Sequence, residues 1–431
     1  MKLSKVGRLS LALVASVAVG LGMTACGGGT VGFLWVAGTQ YNQIAGFKID
    51  NFTGNLTAIP GSPFQASGSN PRMIVVKPGG RYLYVINTGT PAVDPVTKLP
   101  TLTGQGIAEF SVGGDGILTF QEQYMSQGQT PVWATVDSSG NFLFVLDSLA
   151  PAGAVDTTST SKQTYAQEGR GAITAFAIDP NTGRLSLVTN NQIKDANNIN
   201  INFFPVGNAP TMVRTGGGAC LYTLDSGTNS IFPYMVNSGN GQLTQTTNSE
   251  IFTNAGRLTS INPGTSVFAT DAAPVVQNGQ VVSAGGQILQ YTPGANCSLS
   301  TVVGTPVNNL PLTSNPVWSL VDNRGRYLYV LNQTSATTAN ANSTISAFSL
   351  SSGKPEMVAG ATQNPYATGS GPVCMVEDPT NQYVYTSNSV DGSITGKRID
   401  QNTGELSDLQ RGSRFTATGV ATCLAVSGTV Y

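Results

Sequence analysis

Asn315-Pro316-Val317-Trp318-Ser319-Leu320-Val321-Asp322-Asn323-Arg324-Gly325-Arg326-Tyr327-Leu328-Tyr329-Val330-Leu331-Asn332 reads as a strand, a tight polar turn and a second strand. β-Branched and aromatic residues fill both flanks, and Asp322-Asn323-Arg324-Gly325 supplies a turn through which a helix could not continue. The same unit stands at Asn70-Pro71-Arg72-Met73-Ile74-Val75-Val76-Lys77-Pro78-Gly79-Gly80-Arg81-Tyr82-Leu83-Tyr84-Val85-Ile86-Asn87. A strand pair that recurs so closely at two distant places in one chain is the mark of a repeat architecture.

Working outward, a third strand follows each hairpin, as in Ile173-Thr174-Ala175-Phe176-Ala177-Ile178 or Ile345-Ser346-Ala347-Phe348-Ser349-Leu350. A turn such as Asp179-Pro180-Asn181-Thr182-Gly183 or Asp400-Gln401-Asn402-Thr403-Gly404 then leads to a fourth strand opening at Leu185 or Leu406. Four antiparallel strands make one propeller blade. First strands begin near Pro71, Pro131, Pro210, Gly256, Pro316, Pro372 and Ala421, which gives seven blades, numbered here in that order. The N-terminal stretch holds only a second, third and fourth strand (33–37, 44–50 and 56–60), and the C-terminus only a first, at Thr422-Cys423-Leu424-Ala425-Val426. Pairing the two completes blade 7 and removes the open edges. The expected fold is therefore all-β: a single seven-bladed propeller over residues 33–431, closed by the C-terminal strand.

Composition narrows the chemistry. The 431 residues include no histidine, 51 glycines, and 21 Lys plus Arg against 22 Asp plus Glu. Without imidazole there is no Ser/His/Asp or Cys/His catalysis and no His-ligated metal. No metal site and no cofactor is expected. Lys2, Lys5 and Arg8 precede an apolar run at 9–23 that is too short for a membrane span and reads as a signal peptide. Leu21-Gly22-Met23-Thr24-Ala25-Cys26 is similar to a bacterial lipoprotein signal, which makes 1–25 the leader, Cys26 the lipidated N-terminus and 26–32 a Gly-rich tether. The alternative is an ordinary signal cut near Ala25. Removing the leader's three basic residues leaves 18 of 21 against 22 acids, a net charge near −4, so no nucleic-acid partner is expected. The reading places a monomer in the cell envelope, on the periplasmic side or the outer membrane.

In a repeat protein, residues present in most copies belong to the scaffold, and departures are candidates for function. The second strands end in Asn87, Asp147, Asp225, Asp271, Asn332 and Asn388, and capping of the strand end explains them better than a metal ring does. Asp137, Asp322 and Asp378 are turn residues by the same reasoning. Just after the first-strand start most blades carry Val or Thr, but blades 1 and 4 carry Arg72 and Arg257. Three blades apart in a ring of seven, these face one another across the channel mouth and suit a small anion, a carboxylate or phosphate. Pairing of each with a neighbouring acid or carbonyl is the structural alternative. Arg214, midway along another first strand, and Glu377, at a position otherwise apolar or Thr, are the further candidates, Glu377 as the catalytic carboxylate.

Connections between second and third strands are long at 88–106, 148–171, 272–287 and 333–343, and the run 190–208, with Phe203 and Phe204, emerges on the same face. The elaborated face is thus also the face of Arg72 and Arg257, and would meet a ligand or an envelope protein. Trp133 and Trp318, at equivalent first-strand positions, are expected to pack between blades. Four cysteines lie beyond Cys26 and allow three pairings. Cys220 and Cys297 fall near the plain face and are the expected bridge, with Cys374 and Cys423 read as small buried apolar residues first and a disulfide second.

The Gly-x-Pro strand starts, the Tyr-Leu-Tyr-Val-Ile-Asn and Tyr-Leu-Tyr-Val-Leu-Asn strands and the Asp-Pro-Asn-Thr-Gly-Arg-Leu turn resemble the lactonase-type, YVTN-repeat seven-bladed propellers. That group includes bacterial 6-phosphogluconolactonase and fungal carboxymuconate cyclase. The resemblance covers 33–431 and implies lactone ring hydrolysis or closure on an anionic sugar or dicarboxylate. Its cyclase branch implies a site of His, Arg and Glu. With no His here, only Arg72, Arg257 and Arg214 with Glu377 remain for such parts: an Arg pair to hold the oxyanion and Glu377 to activate water. The matching residues specify the scaffold rather than the activity, so the first expectation is a lipid-anchored extracytoplasmic propeller that binds a small anion or a partner protein. Lactone hydrolysis is the alternative.

Overall fold

The computed structural model describes residues 29–428, apart from 94, 96–99, 159, 161, 217–218, 248–249, 263–264, 274, 278–279, 284–285, 303–314, 334–342 and 359–362. The leader, Cys26 and most of the loop at 333–343 therefore lie outside the described residues. Seven antiparallel sheets form the ring, with first strands at Pro71–Val76, Pro131–Val136, Pro210–Thr215, Arg257–Asn262, Pro316–Val321, Pro372–Glu377 and Ala421–Gly428. Thr30–Gly38 pairs on one side with Gln43–Asp50 and on the other with Ala421–Gly428, in a register that sets Trp35 against Ala425. This is the closure expected from the incomplete ends. The strand starts at Thr30, three residues before Phe33, so the end of the Gly-rich stretch is already sheet.

Each second strand is sandwiched between neighbouring blades and buried on both faces. Tyr82–Asn87 and Tyr327–Asn332 are therefore almost continuously apolar, with Leu83, Tyr84, Val85 and Ile86 all at 0% exposure. In blades 1, 5 and 6 the paired tyrosines also tie the blade to the next. Tyr84 Oη donates to the Gly183 carbonyl (2.6 Å) and Tyr82 Oη to that of Asn181. Tyr327 and Tyr329 reach Asn402 and Gly404 (2.7 and 3.1 Å), while Tyr383 and Tyr385 reach Asn51 and Gly54 (3.2 and 2.6 Å). The Tyr-x-Tyr strand and the Asp-x-x-x-Gly turn of the repeat are thus two halves of one inter-blade joint.

The capping expectations are met by hydrogen bonds. Asp322 Oδ1 accepts from the amides of Arg326 and Tyr327 (2.5 and 2.8 Å), and Asp378 Oδ1 from those of Gln382 and Tyr383 (2.7 and 2.6 Å). Asp225 Oδ1 takes the Gly227 and Thr228 amides, and Asn388 Nδ2 donates to Ser393 and Thr395.

Three features differ from the expectation. In five blades the fourth strand is split, and a second short piece such as Phe64–Gln65 or Arg414–Thr416 also pairs with the third strand. A broken edge offers a shorter template to other chains. The long connections carry hairpins of their own, Thr90–Val93 with Pro100–Thr103 and Val275–Gln277 with Gln280–Ser283. Finally, Cys374 and Cys423 are not merely packed: their first strands are adjacent, with Cα atoms 5.2 Å apart, and they form a disulfide. Cys220 and Cys297 form the other, with Cα atoms 5.4 Å apart.

Candidate functional site

The first strands line the axis, and an irregularity near their starts aims side chains into it. Between Pro71 and Met73 the pairing with the second strand slips by one residue, and the same slip occurs after Pro131, Pro210, Pro316 and Pro372. The extra residue of such a bulge is released from the ladder and re-aimed. In blade 1 that residue is Arg72. In blade 4 the slip comes later, between Leu258 and Ile261, so Arg257 sits in register opposite Thr270. Two local geometries therefore deliver guanidiniums to one cavity of about 720 Å³ on the long-loop face.

Ser148, Asn208, Thr211, Ser226 and Asn315 also line that cavity, and among the described residues no carboxylate does. Neither Arg72 nor Arg257 has an ion pair or hydrogen-bond acceptor among the described residues, in contrast to the structural alternative of neighbouring acids. Burial, followed by the charge of Arg72, holds Arg257 below the usual arginine range. Two like charges kept close without a counter-charge give this cavity a positive potential.

The wall of this cavity is a built structure. Loop 148–171 and run 190–208 share a small core of Ala150, Tyr165, Ala172, Ile201 and Phe203. Phe203 meets Tyr165 edge-on at 5.8 Å, and Arg170 lies over the Tyr165 ring while binding Asp156 at 3.2 Å. Phe203 and Phe204 are both 3% exposed: Phe203 holds the loops together and Phe204 packs in the main core, so neither faces a ligand.

Beneath the arginines, Trp133 and Trp318 stack on one another, with ring centroids 5.5 Å apart and planes inclined by 30°. They come from blades 2 and 5, so the stack crosses the axis instead of packing between adjacent blades as expected. The signal was present in the sequence, because the count that sets Arg72 opposite Arg257 also sets these two opposite each other. Together with Met73 and Cys423 the pair floors a recess of about 180 Å³ under Arg72 and Arg257.

Arg214 and Glu377 lie below that floor, in a separate chamber of about 280 Å³ toward the short-loop face. The guanidinium carbon of Arg214 is 5.0 Å from the Trp318 ring centroid and 5.5 Å from that of Trp133, and burial brings its pKa down to about 10. Glu377 is 5% exposed. Its Oε2 accepts the Asn323 amide at 2.7 Å, and burial pushes its pKa up to about 8. Of the four residues singled out from the sequence, the structure brings together Arg72 with Arg257, and Arg214 with Glu377, but not the two pairs. Glu377 thus lines a different cavity from the one that Arg72 and Arg257 share.

No family model matches this chain, and no curated protein matches it. Solved structures do. A candidate 6-phosphogluconolactonase from Bacteroides fragilis superimposes with a TM-score of 0.63 at 17% identity, over 92% of this chain and 98% of that one. The Pseudomonas aeruginosa periplasmic gluconolactonase gives 0.65 at 14% identity, over 93% and 100%, and a Lactobacillus plantarum protein 0.63 at 17%, over 93% and 100%. At these identities the likeness speaks to architecture: the chain is a seven-bladed β-propeller with the fold of lactonase-like structures.

Proposed function

We propose that this protein is a lipid-anchored extracytoplasmic propeller whose long-loop face binds a small anion through Arg72 and Arg257. One observation carries the reading: two guanidiniums share the cavity of about 720 Å³ and no acid among the described residues neutralises either. Each offers a planar fork of donors that matches a carboxylate or phosphate. A bound dianion would relieve their mutual repulsion, so ligand and protein would stabilise one another. The periplasmic description of the Pseudomonas aeruginosa structure supports the envelope location.

The test is a thermal-shift titration of the purified protein with citrate, phosphate and 6-phosphogluconate. A dose-dependent rise that is lost in Arg72→Ala/Arg257→Ala supports the site. No shift with any anion removes it and leaves an envelope protein as the ligand for this face. Co-purification of one protein, lost on shortening loop 148–171, would support that outcome.

Lactone hydrolysis is the second reading, favoured by the lactonase descriptions of two structural neighbours. In that case Arg72 and Arg257 polarise the lactone carbonyl and hold the oxyanion, and water attacks without a histidine or carboxylate base among the described residues of the cavity. A panel of sugar and dicarboxylate lactones tests it. Turnover abolished in the double arginine variant and untouched in Glu377→Gln is the expected pattern for an enzyme built this way.

A further inference from the structure

The lower chamber has chemistry of its own. Arg214 enters it from blade 3 and Glu377 from blade 6, across the axis from one another. Arg214 Nε is buried without an acceptor, and among the described residues no carboxylate, Glu377 included, lies within ion-pair distance of its guanidinium. A largely enclosed cation with only aromatic faces for company is an expensive arrangement unless an anion joins it. Glu377 Oε1 is likewise buried with no partner.

We propose that this chamber is a second binding site, separate from the Arg72/Arg257 cavity, for a short-chain aliphatic monocarboxylate. Its carboxylate would be gripped by Arg214, with the alkyl chain against Val75, Leu320, Val376 and Leu424. Size, wall and charge agree. About 280 Å³ lies just below the range of drug-sized pockets and admits a fragment. Most of the lining residues are apolar, with Thr135, Asn323, Arg214 and Glu377 as polar side chains, and polar atoms make up about half of the surface that faces the chamber. The charge around Glu377 is set by Asp322 and Asp378 on one side and Arg324 on the other, with the Asn323 amide on Oε2 and Arg214 across the chamber. Burial among these groups pushes Glu377 up toward its neutral form, which leaves Arg214 as the chamber's unpaired charge. One anionic group with an apolar tail suits that charge and the apolar part of that wall. A polyanion or an amine does not. The inference is independent of what the upper cavity binds.

The experiment uses the full chain in mild detergent and follows tryptophan fluorescence, since Trp133 and Trp318 roof Arg214. Butyrate and hexanoate are titrated beside butylammonium and inorganic phosphate. Saturable binding of the carboxylates is expected, hexanoate more tightly than butyrate, with the amine silent throughout and phosphate silent once Arg72→Ala/Arg257→Ala has removed the upper site. Arg214→Met should weaken binding at least about tenfold, the loss of one charge-assisted pair. Arg72→Ala/Arg257→Ala should leave it unchanged. If Arg214→Met does not fold, Glu377→Gln decides. In the wild type, affinity should fall as pH rises through about 8, where Glu377 ionises and repels the ligand, and Glu377→Gln should abolish that fall. Butylammonium binding as tightly as butyrate, loss of binding in the Arg72/Arg257 variant, or the absence of any saturable signal would each overturn the proposal.

Discussion

Gly183→Ala tests the inter-blade joint on which this fold rests. Gly183 has φ +75°, a conformation that costs an L-residue about 1–2 kcal/mol. A Cβ there would also stand 2.5 Å from both Cδ1 and Cγ of Tyr82, well inside van der Waals contact. Tyr82 cannot withdraw freely, because its hydroxyl is tied to the Asn181 carbonyl of the same turn. Overpacking of this kind adds about 1–3 kcal/mol, for a total of about 2–5 kcal/mol. Gly353 is the internal control: its φ is +80°, yet a Cβ there meets nothing within 4 Å, so Gly353→Ala should cost only the backbone part, about 1–2 kcal/mol. Urea midpoints at constant slope give both values. The steric part is isolated by a cycle with Tyr82→Ala, in whose background Gly183→Ala should cost no more than Gly353→Ala. Equal losses at the two glycines in the wild-type background, or no coupling in the cycle, would refute the joint as an energetic unit.

The buried carboxyls predict a stability that falls with pH. Burial raises Glu377 to about 8 and Asp147 to about 7, so between the unfolded values near 4 and these figures the folded state holds more protons than the unfolded one. Their contribution is thus fully present below about pH 4 and is lost as pH rises through 7 to 8; Glu377→Gln and Asp147→Asn should each flatten the decline in melting temperature over that window. Arg170→Ala removes the guanidinium from Asp156, which is 3% exposed, and from the face of Tyr165. It should speed hydrogen exchange across 150–172 and 201–206 while the second strands stay protected, and uniform acceleration would argue against a separate loop core. Trp318→Phe should erase the far-ultraviolet circular-dichroism couplet of the stacked indoles at little cost in stability, whereas Trp35→Phe should leave that couplet intact.

The scaffold was legible because each repeat feature answers a local physical demand. A strand between two blades must be apolar on both faces, hence Leu83 to Ile86; a turn that carries a neighbour's tyrosine against its backbone must have glycine at positive φ, hence Gly183 and Gly404. Ring closure followed from counting strands at the two ends. The split fourth strands were not legible, because the second fragments are only two to five residues long and carry no alternation of their own. The Cys374–Cys423 bond was legible only as a second reading, since equivalent positions on adjacent first strands suit a small apolar residue as well as a bridge.

The site was legible around the ring but not along the axis. Blade arithmetic alone sets blades 1 and 4, 2 and 5, and 3 and 6 opposite one another, and it yields all three cross-channel pairs: Arg72 with Arg257, Trp133 with Trp318, Arg214 with Glu377. Depth is a different matter. It depends on where each residue falls along its first strand, and the slip after the leading proline lets successive residues such as Val132 and Trp133 both turn toward the axis, which a strict alternation forbids. Position two then forms the upper cavity, position three the floor, and the last two positions the lower chamber. A floor of stacked indoles between two positively charged cavities means that a ligand in one is shielded from the groups of the other. The four candidates are therefore two sites, and Arg214 should respond to ligands that Arg72 and Arg257 never touch.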